Sequence, residues 1–123
     1  MRKILIVDDD PIVHLLYKRY LEQEGFQLLM ARNGLEALSV AAQAKPDLIL
    51  MDVMMPTKDG LSALRELKQN ESTRDVPVIV MTANVAEYNT STQEAKLGGA
   101  EGLLTKPLSP AKLIAEVRRI FPR

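Results

Sequence analysis

A chain of 123 residues fits one domain and can bury an adequate single core, and its 46% apolar and 26% charged residues are ordinary for a soluble globular protein. Its 16 basic residues cancel 16 acidic ones, which leaves no positive excess to neutralise phosphates and disfavours direct nucleic-acid binding by this domain. Cysteine is absent, hence no disulfide or thiolate metal site; apolar runs fall far short of the roughly 20 residues of a membrane span, and a strand-like run starts at Lys3, so a cytoplasmic domain without signal peptide or membrane contact is expected.

The first apolar run, Ile4-Leu5-Ile6-Val7, reads as a buried strand that ends on Asp8, Asp9 and Asp10. Asp10-Pro11 then starts a helix, an N-cap residue followed by proline at the first helical position. Ile12, Leu16 and Tyr20, with Val13, Tyr17 and Leu21, recur every four residues and form one apolar stripe. Lys18, Arg19 and Glu22 take the other side, His14 falls near that polar side, and Gly25 ends the helix. A second strand is predicted near 27–31. Asn33 caps the second helix with Glu36 three residues on, a capping-box spacing, and Leu35, Leu38, Ala41 and Ala42 are expected to face inward.

The third strand, near 47–52, carries Leu48-Ile49-Leu50-Met51 and closes on Asp52. Asp59-Gly60 opens a third helix with Leu61, Leu64 and Leu67. Val78-Ile79-Val80-Met81 is the fourth strand and ends on Thr82. Between Asn84 and Gly98 the pattern weakens, and Asn89-Thr90-Ser91-Thr92 predicts a short or irregular helix. A fifth strand near 102–104 leads through Thr105 to Lys106-Pro107. Ser109-Pro110 opens the last helix, with Leu113, Val117, Ile120 and Phe121 inward and Arg118 and Arg119 on a solvated face. The methionines, Met30 and Met81 among them, read as core filler.

Strands alternating with helices predict an α/β fold, a doubly wound five-stranded parallel sheet covered on both faces, with residues 1–123 as one domain. Ligands of such sheets bind at the carboxyl ends of the strands, near the switch in strand order, where the acids, Thr82 and Lys106 all fall. Two carboxylates ~4 Å apart repel by about 4 kcal/mol at an effective dielectric of 20, so clustering Asp8, Asp9 and Asp52 calls for a positive partner. Lys106 is one. A hard divalent cation is the other, and an all-oxygen donor set selects Mg²⁺, with Mn²⁺ as a substitute, over zinc. Asp52 is then the candidate nucleophile for an aspartyl phosphate, with the Thr82 hydroxyl and the Lys106 ammonium on the phosphoryl oxygens. Replacing one negative charge with nearly two, and adding acceptor oxygens, can bias a two-state surface.

These residues resemble the receiver domain of two-component response regulators. The matching segments are Ile6-Val7-Asp8-Asp9, Asp47 to Asp52, Met55-Pro56 with Asp59-Gly60, Pro77 to Ala83, Gly99-Ala100 and Thr105-Lys106-Pro107, in family order along the whole chain. The resemblance implies strand order 2-1-3-4-5 in a flavodoxin-like three-layer sandwich. It implies Asp52 as phosphoacceptor, Asp9, Asp52 and the Met54 carbonyl as direct Mg²⁺ ligands, and Asp8 acting largely through water. Thr82 would be the switch hydroxyl, Lys106 the phosphoryl-binding lysine, and the Lys106-Pro107 bond cis. The phosphodonor would be a histidine kinase or a histidine phosphotransfer domain, the readout a downstream effector protein, and the only catalysis the domain's own phosphoryl transfer and dephosphorylation.

Two positions depart from the family. Leu103 stands where an aromatic or histidine ring is usual, and the segment from Thr82 to Gly99 is longer than the family spacing, so output is expected to run through residues 84–98. The family positions that tune water access to the acyl phosphate are Met54 and Asn84 here, and an apolar Met54 predicts a long phosphorylated lifetime. Three rivals remain. A haloacid-dehalogenase-type phosphatase would want a second Asp where Met54 stands; a flavodoxin-like cofactor binder would want a Ser, Thr and Gly loop in place of Asp8-Asp9-Asp10; a degenerate receiver would act as a constitutive binding module.

Overall fold

The computed structural model describes residues 2–52, 60–82, 99–105 and 109–122, with the side chains of Gly60, Leu61, Leu103 and Thr105 left out. In chain order the elements are β1 (Lys3–Val7), α1 (Pro11–Gln23), β2 (Gln27–Ala31), α2 (Gly34–Ala44), β3 (Leu48–Asp52), α3 (Gly60–Gln69), β4 (Val78–Thr82), β5 (Gly102–Thr105) and α4 (Pro110–Ile120). The expected helix between Asn84 and Gly98 lies outside the described residues, as do Asp59 and the Lys106-Pro107 bond.

β2, β1, β3 and β4 form a parallel, doubly wound sheet, and the short β5 adds to the edge of β4. From β1 the chain steps out to β2 and then returns past β1 to β3, so the order reverses between β1 and β3. A crevice at the carboxyl ends of those two strands follows from that reversal.

The strands are apolar on both faces because both faces are covered. Alternate residues serve opposite cores. Leu5, Val7, Ile49, Met51, Val78 and Val80 pack with Ala37 and Ala41 of α2 and with Ala63, Leu64 and Leu67 of α3. Ile4, Ile6, Leu48, Leu50, Ile79 and Met81 pack on the other face with Tyr17 and Leu21 of α1 and with Leu113, Val117 and Phe121 beside α4. The small alanines of α2 let that helix lie close to the sheet.

Helix starts follow the sequence. Asp10 caps α1 by accepting from Ile12 N–H at 2.9 Å, Asn33 caps α2 by accepting from Glu36 N–H at 2.9 Å, and Ser109 caps α4 by accepting from Lys112 N–H at 3.2 Å. Helix faces depart from it in several places. Of the expected α1 stripe, Val13, Tyr17 and Leu21 turn inward, whereas Ile12 is 64% exposed, Leu16 is 41% exposed and His14 is buried in their stead. Leu35 and Ala42 also face outward; Ala41 is buried as expected, and Gly34 and Ala37 are buried in place of the other two. Met81 and Met51 fill the core as expected, but Met30 on the edge strand β2 is exposed. A helix on one face of a sheet buries a stripe narrower than its apolar content.

Arg119 is exposed, as expected of a solvated face, but Arg118 is half-buried. Arg118 donates from Nη2 to the Glu24 carbonyl at 3.0 Å and lies over the Phe26 ring, 4.9 Å from its centre. Arg119 donates to the Glu101 carbonyl at 3.1 Å and pairs with Glu116.

Candidate metal and phosphoryl site

The site is built by strand register. Ile6 pairs with Leu50 and Val7 with Met51, so the residues that follow, Asp8 and Asp52, come side by side at the carboxyl ends of β1 and β3. Asp8 N–H donates to the Ala31 carbonyl at 3.1 Å, which carries the β1–β2 ladder one residue past the strand and fixes the start of the loop. Alternation sends Asp8 and Asp52 to the α1/α4 face of the sheet, as continuations of Ile4–Ile6 and Leu48–Leu50. Both are buried, and Asp9 is exposed beside them. One carboxylate oxygen from each of Asp8, Asp9 and Asp52 falls within a cluster no more than 4.8 Å across.

Asp10 stays out of this cluster. Its carboxylate is spent on capping α1, and its own N–H donates to Asp8 Oδ1 at 2.9 Å. The loop is therefore laced by its own amides, with Asp8 pinned from both its backbone and its side chain. Thr82 is the last residue of β4, fully buried, and one step beyond the Met81–Asp52 pair. Thr105 pairs with Thr82 in β5. Lys106 and Met54 lie outside the described residues, and of Leu103 only the strand position is described.

One residue of this region escaped sequence reasoning. His14 is 7% exposed and its Nε2 lies 2.6 Å from the Asp8 carbonyl. The signal was present: residues 14, 17 and 21 share a helical face at i, i+3 and i+7, and the other two are core.

The donor chemistry fits Mg²⁺. The three clustered groups offer oxygen alone, and the nearby imidazole points its Nε2 at a backbone carbonyl. Two oxygens bound to one Mg²⁺ at 2.0–2.1 Å lie at most about 4.2 Å apart, close to the spread that the cluster already has. The cluster is thus positioned to bind Mg²⁺ and to accept a phosphoryl group.

Comparison with known proteins agrees with the geometry. The chain is 36% identical over 123 residues to the DNA-binding dual master transcriptional regulator RpaA of Synechocystis sp., covering 100% of this chain and 50% of that protein. It is 38% identical over 121 residues to Protein PilH of Pseudomonas aeruginosa, covering 98% of each. The chain thus spans about half the length of the curated transcriptional regulators that it matches, but nearly all of PilH. The receiver domain of sensor histidine kinase PA1611 from Pseudomonas aeruginosa, solved with a magnesium ion in its active-site cleft, superposes with a TM-score of 0.88 at 30% identity, covering 99% of this chain and 98% of that one. The profile of the response regulator receiver domain matches residues 4–118, and with the acid cluster at the tips of β1 and β3 the chain belongs to that family, whose members catalyse only their own phosphorylation and dephosphorylation.

Proposed function

We propose that Asp52 is the phosphoacceptor of a signalling switch, and that the phosphodonor is the phosphohistidine of a histidine kinase or histidine phosphotransfer domain. The single observation behind this reading is the meeting of buried Asp52 with Asp8 and Asp9 at the β1/β3 crevice. An Asp52 carboxylate oxygen attacks phosphorus as the P–N bond to the donor imidazole breaks, leaving an acyl phosphate on Asp52 and returning the electron pair to nitrogen. Asp8 and Asp9, with Asp52, would hold Mg²⁺, which would supply positive charge to offset that of the phosphoryl group.

Thr82 offers its hydroxyl from the neighbouring strand tip. The roles of Lys106 and of the Met54 carbonyl rest on the family resemblance, as do the switch role of position 103 and the slow hydrolysis attributed to Met54. Ile12, Leu15 and Leu16 on the first turns of α1 are large, apolar and exposed beside the acidic loop, which suits a helical protein donor. Among the described residues no helix is long and apolar enough to cross a membrane, and a cytoplasmic setting with a downstream effector protein belongs to the same proposal.

Incubation with acetyl phosphate and Mg²⁺, read by intact mass, tests the acceptor. Wild type gains one phosphoryl group and Asp52→Asn gains none; an unmodified wild type or a modified Asp52→Asn protein overturns the assignment.

A further inference from the structure

Asp8 carries its carboxylate in the acid cluster, and its backbone carbonyl is met by a side chain of α1. That side chain is His14, whose Nε2 lies 2.6 Å away in a buried contact. A carbonyl oxygen can only accept, so Nε2 carries the proton and His14 is the donor. A neutral ring in this contact is therefore the Nε2–H tautomer. Nδ1 is buried and has no hydrogen-bond partner among the described residues, so the ring's polar anchorage is to Asp8 alone.

We propose that His14 is a positioning residue for the metal and phosphoryl site, holding the Asp8 peptide so that the Asp8 and Asp9 carboxylates stand toward Asp52. The proposal rests on the cluster being a Mg²⁺ site. Three observations place the histidine in this role. The loop from Asp8 to Asp10 is short and carries both acids between β1 and α1, so the orientation of one peptide sets the aim of two side chains. Asp8 N–H is already tied to the Ala31 carbonyl, and Asp8 Oδ1 to the Asp10 N–H, so the His14 bond anchors the remaining polar group of the residue's main chain. His14 in turn is braced through its own N–H on the Asp10 carbonyl at 3.3 Å and packs among residues of one helical face with Tyr17 and Leu21. Mutual repulsion would favour moving the three carboxylates apart, and a buried donor on the Asp8 carbonyl would oppose such a movement of the loop. Groups that orient metal ligands from behind commonly matter to metal affinity nearly as much as the ligands do.

The chain has one histidine, so its ring nitrogens are assignable without ambiguity. The primary test is a ¹⁵N spectrum of the wild-type imidazole, recorded without metal and through a MgCl₂ titration followed also on backbone amides. The Nε2–H tautomer in the metal-free protein, with ring nitrogens that move in step with the amides of residues 8–10, supports the proposal. The Nδ1–H tautomer overturns it, as does a titration in which those amides move and the ring does not. If neither moves, the Mg²⁺ site itself fails, and the positioning role falls with it. In a second arm, His14→Leu removes the donor and His14→Gln keeps an N–H donor near Nε2. Mg²⁺ affinity about tenfold weaker in His14→Leu and largely restored in His14→Gln, at matched thermal midpoints, is the expected result. Equal Mg²⁺ affinity in His14→Leu and wild type overturns the proposal.

Discussion

Asp8 stands opposite Asp52 because Val7 is in register with Met51, so two strands end on acids in the same notch of the sheet. Neither acid is there for the sheet's sake: each extends a buried apolar run onto a charge that the fold must tolerate. Without metal the three carboxylates repel one another, a cost that the rest of the fold must offset. Asp52→Asn is expected to raise the stability of the metal-free protein by on the order of 1 kcal/mol, by removing one member of the like-charge group. Wild type gains stability with Mg²⁺, about 2.7 kcal/mol when free Mg²⁺ is 100 times Kd, and Asp52→Asn gains much less. Urea unfolding with and without MgCl₂ checks both signs; a metal-free Asp52→Asn protein less stable than wild type contradicts the account.

Leu15 is 68% exposed and Ile12 64% exposed, three residues apart and so neighbours on one face of α1. Leu15 also lines a surface cavity of about 430 Å³ with Lys18, Met30 and Arg32. Placing a charge there should disturb a protein donor and not a small one. Leu15→Glu is expected to slow phosphoryl transfer from a phosphorylated histidine domain by tenfold or more, equivalent to about 1.4 kcal/mol, with the rate from acetyl phosphate within about twofold of wild type. Equal slowing of both donors would place the effect in the site and not in docking.

Glu36 accepts from the Arg32 backbone N–H at 2.9 Å and pairs with the Arg32 guanidinium at 3.3 Å. The backbone hydrogen bond first, and the guanidinium second, hold its pKa below the ordinary value of 4.5. The sign follows from linkage: a carboxylate whose folded pKa is depressed contributes stability above 4.5 and loses it as pH falls through the folded value. Glu36→Gln should flatten that part of the acid limb in a plot of melting temperature against pH, and leave the curve above pH 6 nearly parallel to wild type. An unchanged slope below 4.5 would show that the pair is broken in solution.

Arg118 ties the end of α4 to the end of α1 through the Glu24 carbonyl, the Glu24 carboxylate at 3.4 Å and the face of Phe26. Its removal leaves a half-buried carboxylate and uncovers an aromatic ring. Arg118→Ala is expected to cost about 1–2 kcal/mol, and Arg118→Lys to recover only part, since a lysine ammonium cannot span the carbonyl, the carboxylate and the ring at once. Denaturant unfolding reads this directly. A loss below about 0.3 kcal/mol would reduce the contact to a surface ornament.

Much of this molecule was legible because its signals are local. The strands near 3–7 and 27–31 coincide with β1 and β2, and Asp10, Asn33 and Ser109 cap the helices that their sequence context announced. The gathering of Asp8, Asp9 and Asp52 was legible for another reason: acids at the ends of apolar strands leave few places to go in a parallel sheet. What escaped was rotation. Ile12 and Leu35 are apolar and yet turn outward, and His14 turns inward, because a helix buries the face that its sheet contacts dictate and not every apolar position. Arg118 was misread for a related reason, since its partners Glu24 and Phe26 lie more than ninety positions away in sequence and leave no periodic trace. Nothing in the spacing of His14 announces a bond to a peptide carbonyl.

Phe121, just past α4, stacks at a tilt on Phe26 and lies under the Arg2 guanidinium, 4.4 Å from the ring centre. Arg2 immediately precedes β1, and Asp8 immediately follows it, so the two poles of the sheet are separated by the five residues of β1, roughly 20 Å from Arg2 to Asp8. For anyone attaching a reporter, Phe121 marks the pole of the sheet away from the acids. A fluorophore or fused domain placed there leaves the acidic mouth open to its donor, and any signal it gives on phosphorylation has crossed the whole thickness of the fold.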